Sequence, residues 1–99
     1  MRILVYPHDL GMGGSQLNAI ELAARTRDLG GEAIVFGRPG VLVDRVRQLD
    51  LEFIESPEPG RRPSIGIARH LRDLAKRRGI DILHGYEWPP SLELSLIHI

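Results

Sequence analysis

The chain contains no cysteine. That excludes a disulfide framework, a thiolate metal site and a thiol nucleophile. It also lacks an excess of charge of either sign: 13 Lys and Arg stand against 13 Asp and Glu, and lysine occurs once, at Lys76. A whole-chain basic footprint for nucleic acid is therefore absent. Long apolar runs are missing too. The N-terminal run is only Ile3, Leu4, Val5 and Tyr6, short of the roughly 7–15 residues of a signal peptide. No stretch approaches the roughly 18 apolar residues of a membrane span. The expectation is a soluble, cytoplasmic protein without a transmembrane segment.

What is present is ordinary: 99 residues, 42% hydrophobic and 26% charged. This composition excludes a disordered or collagen-like chain, and the length allows one small domain with a modest core. The charge is unevenly placed. Residues 1–60 hold six basic and nine acidic groups, and residues 81–99 hold three acidic and none basic. Between them stand Arg61, Arg62, Arg69, Arg72, Lys76, Arg77 and Arg78 against the single acid Asp73. Such a block suits an anionic partner or peripheral contact with the inner face of a membrane. The plainer reading is a helix face turned to water.

The apolar pattern alternates strand and helix. Arg2 to Tyr6 reads as a buried strand. Ser15 offers an N-cap for a helix reaching about Leu29, with Leu17, Ile20, Ala23 and Ala24 as its apolar stripe. Asn18, Glu21, Arg25 and Asp28 take the other face, Glu21 and Arg25 at i,i+4 spacing. Gly30 and Gly31 stop it. Ala33 to Phe36 is a second strand, Val41 to Leu49 a short helix with Leu42, Val46 and Leu49 inward, and Leu51 to Ile54 a third strand. Ser56 to Pro63 is a proline-rich loop. Ser64 caps a helix to Arg78 that buries Ile67, Leu71, Leu74 and Ala75, with Gly79 as its C′ residue. Ile80 to His84 is a fourth strand; Pro89 and Pro90 then break the chain, and Ser91 opens a further helix. No internal repeat is found. Strands joined by helices imply βαβ units. The expected fold is a three-layer α/β, Rossmann-like parallel sheet of order 3-2-1-4. The fourth strand then lies at an open edge, which makes the domain look incomplete.

The first chemical signal is Gly11-Met12-Gly13-Gly14-Ser15-Gln16, between the first strand and the first helix. Glycines let a backbone approach a ligand closely, and a helix N-terminus presents free N–H groups with partial positive charge, so phosphate is the natural guest. A tight strand-to-helix turn explains the same residues without a ligand. A dinucleotide loop would want Gly-x-Gly-x-x-Gly and an acid after the second strand; Gln16 replaces the third glycine and Arg38 stands where the acid belongs. A phosphate-accepting signalling module would want clustered acids and a later lysine, whereas Asp9 stands alone.

Residues 1 to about 93 resemble the N-terminal domain of family 4 glycosyltransferases of the GT-B fold. Gly13-Gly14-Ser15-Gln16 matches that family's loop between first strand and first helix. Asp81-Ile82-Leu83-His84-Gly85-Tyr86-Glu87-Trp88 resembles its second signature, with Tyr86 in place of the second histidine. A phenol still donates and accepts a hydrogen bond. The resemblance implies a retaining hexosyltransferase that moves a sugar from a nucleotide-diphosphate sugar to a glycan, lipid or small-molecule acceptor, with no metal and no cofactor beyond the donor substrate. It implies that Gly13 and Gly14 face the donor diphosphate. His8, Asp9, Ser15, Gln16, Tyr86 and Glu87 would rim the acceptor site. Tyr86 and His84 are the candidates for a catalytic role, although a histidine such as His84 in an apolar strand is more often a core residue. It further implies that a C-terminal donor-binding domain is missing and that residues 1–93 alone do not turn over. The alternative is a non-catalytic Rossmann-like module that binds a phosphorylated small molecule or a dinucleotide. Leu94-Ser95-Leu96-Ile97-His98-Ile99 resembles the in-frame translation of a transposon adapter end used in sequencing libraries, so 94–99 is expected to be a non-native tail.

Overall fold

The computed structural model describes residues 1–7, 9–57 and 65–86. Seven elements follow one another: β1 (Arg2–Tyr6), α1 (Gly14–Asp28), β2 (Glu32–Gly37), α2 (Val43–Gln48), β3 (Glu52–Glu55), α3 (Ile65–Arg78) and β4 (Ile82–Gly85). The four strands form one parallel sheet of order β3-β2-β1-β4, the expected α/β topology.

Residue alternation along the strands divides the core into two layers. Ile3, Val5 and Val35 point to one side, where Ala19, Ile20 and Ala23 of α1, Val43 and Val46 of α2 and its N-cap residue Leu42 cover them. Leu4, Tyr6, Ile34 and Phe36 point to the other, against Ile67, Leu71 and Leu74 of α3. Both sides of β1 and β2 are buried, so these strands read as continuous apolar runs. The Tyr6 and Phe36 rings meet edge to face with centroids 5.1 Å apart. Fully burying each such side chain contributes about 2 kcal/mol.

The helices end as their glycines dictate: Gly30 after α1 and Gly79 after α3 take φ of +93° and +63°, the left-handed conformation that closes a helix. After α2, Asp50 does the same work at φ +57°.

Three local expectations are corrected. Ser15 does not cap α1: the N-cap is Gly13, and no side chain caps the helix. The buried stripe of α1 is Gln16, Ala19, Ile20 and Ala23, while Leu17 is 47% exposed. In α2, Val43 is buried and Leu49 only half-buried, because the helix is shorter than its apolar pattern and Leu49 lies past its end. Ser64, the loop segment 58–63, and Pro89, Pro90 and Ser91 lie outside the described residues, as do Arg61, Arg62 and the tail 94–99.

Candidate functional site

All four strands point their carboxyl ends at one edge of the sheet, where both sequence signatures meet. The β1–α1 loop does not simply turn there. It runs on beside the end of β2: Asp9 bridges to Arg38, Leu10 N–H donates to the Arg38 carbonyl at 2.9 Å, and Leu42 N–H donates to the Leu10 carbonyl at 2.9 Å. Leu10 is fully buried. This anchor accounts for the residues that separate strand from glycines. Gly40 closes against it; a Cβ there would lie 2.5 Å from the Leu10 carbonyl oxygen.

Asp9 shapes the loop through one oxygen. Its Oδ1 accepts the Gly11 N–H at 2.8 Å and the Gln16 side-chain amide, through Nε2, at 3.2 Å. Gln16 is only 8% exposed. Its other amide atom, Oε1, occupies the space beside Gly13, where an added Cβ would come within 2.4 Å of it. Asp9, Gly11, Gly13 and Gln16 thus form one interlocked unit. The two expected rim residues Asp9 and Gln16 are in place at the loop, and both hold it together.

Gly13 is extended, at φ −175° and ψ 165°, so its backbone conformation does not demand glycine. Gly14 differs: among the described residues a Cβ there would meet nothing within 4 Å. The fold around Gly14 leaves space above the first turn of α1. That turn carries no acid and no side-chain cap, so the partial positive charge of its N–H groups is uncompensated. Ser15 is half-buried within this turn.

The second signature arrives from β4. Tyr86 continues the β1–β4 ladder by one residue, its N–H donating to the Tyr6 carbonyl at 3.0 Å. Its ring packs on the α1 side of the core, and its hydroxyl lies 3.4 Å from Oδ1 of Asn18. Partial burial pushes the phenol above its ordinary pKa, so it stays a neutral hydrogen-bonding group. The His84 ring stands 4.6 Å from that of Tyr86 at a 40° tilt. His84 is exposed, which corrects the reading of it as a core residue: in register with Val5 it shares the face of the sheet that carries Tyr86, but it stands on edge strand β4 and stays open to solvent there. His8 and Glu87 lie outside the described residues.

Asn18 was not among the expected site residues. It sits one helical turn beyond Gly14, and i,i+4 spacing puts the two on one face of α1; that spacing was the available signal. Arg38 is spoken for: its guanidinium donates to the Ser56 carbonyl at 2.5 Å and lies 3.6 Å from the Glu55 carboxylate. It ties β2 to β3, which weighs against a role holding a dinucleotide phosphate.

A cavity of about 380 Å³ opens at the opposite end of the sheet, lined by Arg2, Arg27, Glu32, Asp50, Glu52 and Arg78 among others. Its charges satisfy one another: Arg2 pairs with Glu32 at 2.6 Å and Arg78 with Glu52 at 2.6 Å. The Arg78 hydrogen bond holds the Glu52 carboxyl below the usual range, against the opposing effect of partial burial. This network staples the starts of the strands to the end of α3. In parallel α/β sheets ligands bind at the carboxyl edge, so the glycine loop and Tyr86, not this cavity, form the candidate site. Among the described residues no three His, Asp or Glu side chains gather to hold a metal ion.

No protein-family model matches the chain. No curated protein matches it in sequence. Among solved structures it is similar to a glycosyltransferase from Rickettsia africae ESF-5, with a TM-score of 0.79 and 26% sequence identity; the likeness covers 94% of this chain and 25% of that one. The chain thus spans about a quarter of the length of that protein.

Proposed function

We propose that this chain is the acceptor-side, N-terminal part of a retaining glycosyltransferase of the GT-B type. It would act with a donor-binding domain that follows residue 93. The observation that carries the reading is the likeness to the Rickettsia africae glycosyltransferase over 94% of the chain.

The reaction breaks the bond between the sugar's anomeric carbon and the donor diphosphate, and forms one to an acceptor oxygen. Negative charge grows on the leaving diphosphate as that bond breaks. Donors fixed in advance where charge develops are the strongest source of rate enhancement. The uncapped N-terminus of α1 supplies such donors, and the open space above Gly14 admits the phosphate. Asp9 and Gln16 hold the loop in that shape. Tyr86, with its neutral hydroxyl beside Asn18, offers a hydrogen bond to a sugar or acceptor hydroxyl.

The test is nucleoside diphosphate release by the full-length protein, assayed over a panel of nucleotide sugars with glycan and lipid acceptors. Release that depends on an added acceptor supports the reading. Tight binding of nucleotide sugars without turnover would favour a non-catalytic binding module.

A further inference from the structure

The α3 helix is amphipathic in an unbalanced way. Its inner side is Ile67, Ala68, Leu71, Leu74 and Ala75. Its outer side carries Arg69, Arg72, Lys76 and Arg77 against the single carboxylate of Asp73, which lies 3.5 Å from Arg72. Arg78, at the helix end, is held by Glu52. Arg69, Lys76 and Arg77 have no ion-pair partner among the described residues. By contrast α1 pairs both its arginines, Arg25 with Glu21 and Arg27 with Asp28.

The spacing gives this surplus a shape. Ile65, Arg69, Arg72 and Lys76 follow at i, i+4, i+7 and i+11, which sets them along one line of the helix, about 16 Å long at the α-helical rise. At its head Ile65 is 61% exposed, an apolar side chain beginning a row of cations. The surface is the outer face of a helix. Tyr6 and Phe36 are buried and Phe53 and Tyr86 half-buried, so the described residues present no exposed Phe or Tyr ring on which a nucleic-acid base could stack, and the exposed imidazole of His84 lies on β4, not on the outer face of α3.

We propose that the outer face of α3 docks on an anionic lipid surface. Arg69, Lys76 and Arg77 meet headgroup phosphates and Ile65 enters the headgroup layer. The chain as a whole is neutral, so the attraction comes from this face and not from net charge. The proposal rests on α3 alone and holds independently of glycosyl transfer.

The experiment is co-sedimentation of the 99-residue chain with vesicles of phosphatidylcholine, with and without phosphatidylserine. Binding is expected on the phosphatidylserine vesicles at low salt, with release at ~1 M salt, where screening acts within about 3 Å. Each basic residue near such a surface contributes about 1 kcal/mol, or roughly fivefold in partition. The triple variant Arg69→Gln, Lys76→Gln, Arg77→Gln should therefore lose about a hundredfold, with an unchanged far-UV spectrum. Arg25→Gln on α1 should bind as the parent does, and Ile65→Ser should weaken binding at all salt concentrations. Inorganic phosphate at matched ionic strength should not displace the protein. Equal partition to neutral and anionic vesicles, or undiminished binding by the triple variant, would overturn the proposal. So would displacement by inorganic phosphate, or duplex DNA binding as tight as vesicle binding.

Discussion

The side-chain amide of Gln16 lies between Asp9 and Gly13: its Nε2 donates to the Asp9 carboxylate at 3.2 Å, and its Oε1 fills the space that a Cβ on Gly13 would need. One side chain thereby sets both arms of the glycine loop. The absence of a side chain at Gly13 is thus a packing requirement imposed by Gln16.

This relationship predicts a coupling. Gly13→Ala alone forces Gln16 to move and breaks its bond to Asp9, at a cost of about 1 kcal/mol. Gln16→Ala alone costs a similar amount. In the double variant the alanine at position 13 has room, so the second substitution adds little. Urea unfolding of the four proteins should give a coupling energy of about 1 kcal/mol; additive effects would show that the two residues do not share this space.

The Glu52–Arg78 pair predicts a pH dependence. Arg78 holds the Glu52 carboxyl below its ordinary range, so the folded value lies below the unfolded one. The pair therefore stabilises the fold above the unfolded carboxylate value of about 4.3, and that contribution is lost as pH falls through the folded value. Both side chains are over 40% exposed, so the effect is small and weakens with salt. The stability difference between the parent and Glu52→Gln should be visible at neutral pH and low salt and should close in acid. A difference that persists below the folded value would show that it does not come from the charge.

Two glycines should respond in opposite directions. A Cβ at Gly40 would collide with the Leu10 backbone, so Gly40→Ala should cost about 2 kcal/mol. A Cβ at Gly14 meets nothing within 4 Å among the described residues, so Gly14→Ala should stabilise the chain by about 0.5 kcal/mol, as Gly to Ala does at compatible helical sites. Thermal unfolding of the two variants checks both signs.

The fold was legible because its evidence is local. Apolar runs within Arg2–Tyr6 and at Ala33–Phe36, the i, i+4, i+7 stripe of α3 and the stop glycines at 30 and 79 each report a short-range constraint, and βαβ chirality then leaves few topologies. The start of α1 was misread for the converse reason. Ser15 satisfies the local rule for a cap, but the helix begins a residue earlier with its N–H groups uncapped. Leu17 fits an apolar stripe, but Gln16 takes the inner position through its bond to Asp9, seven residues away across a loop. Periodicity cannot register such a contact. The site was legible as two motifs, and their meeting was not: Tyr86 reaches Asn18 only through the β1–β4 pairing, across 68 residues of sequence.

Under the proposed function, the space above Gly14 receives the leaving diphosphate and does not merely serve the turn. The direct measurement is turnover and nucleotide affinity of Gly14→Val in the full-length protein. The fold leaves room for the valine, so melting should be preserved and nucleotide affinity by calorimetry should stay within a few-fold. The side chain would, however, push the diphosphate away from the N–H donors of α1. Loss of one such donor typically costs about 3 kcal/mol of transition-state stabilisation, so turnover should fall about a hundredfold. A folded Gly14→Val protein with normal turnover would contradict the account and leave the glycine loop as a strand-to-helix turn.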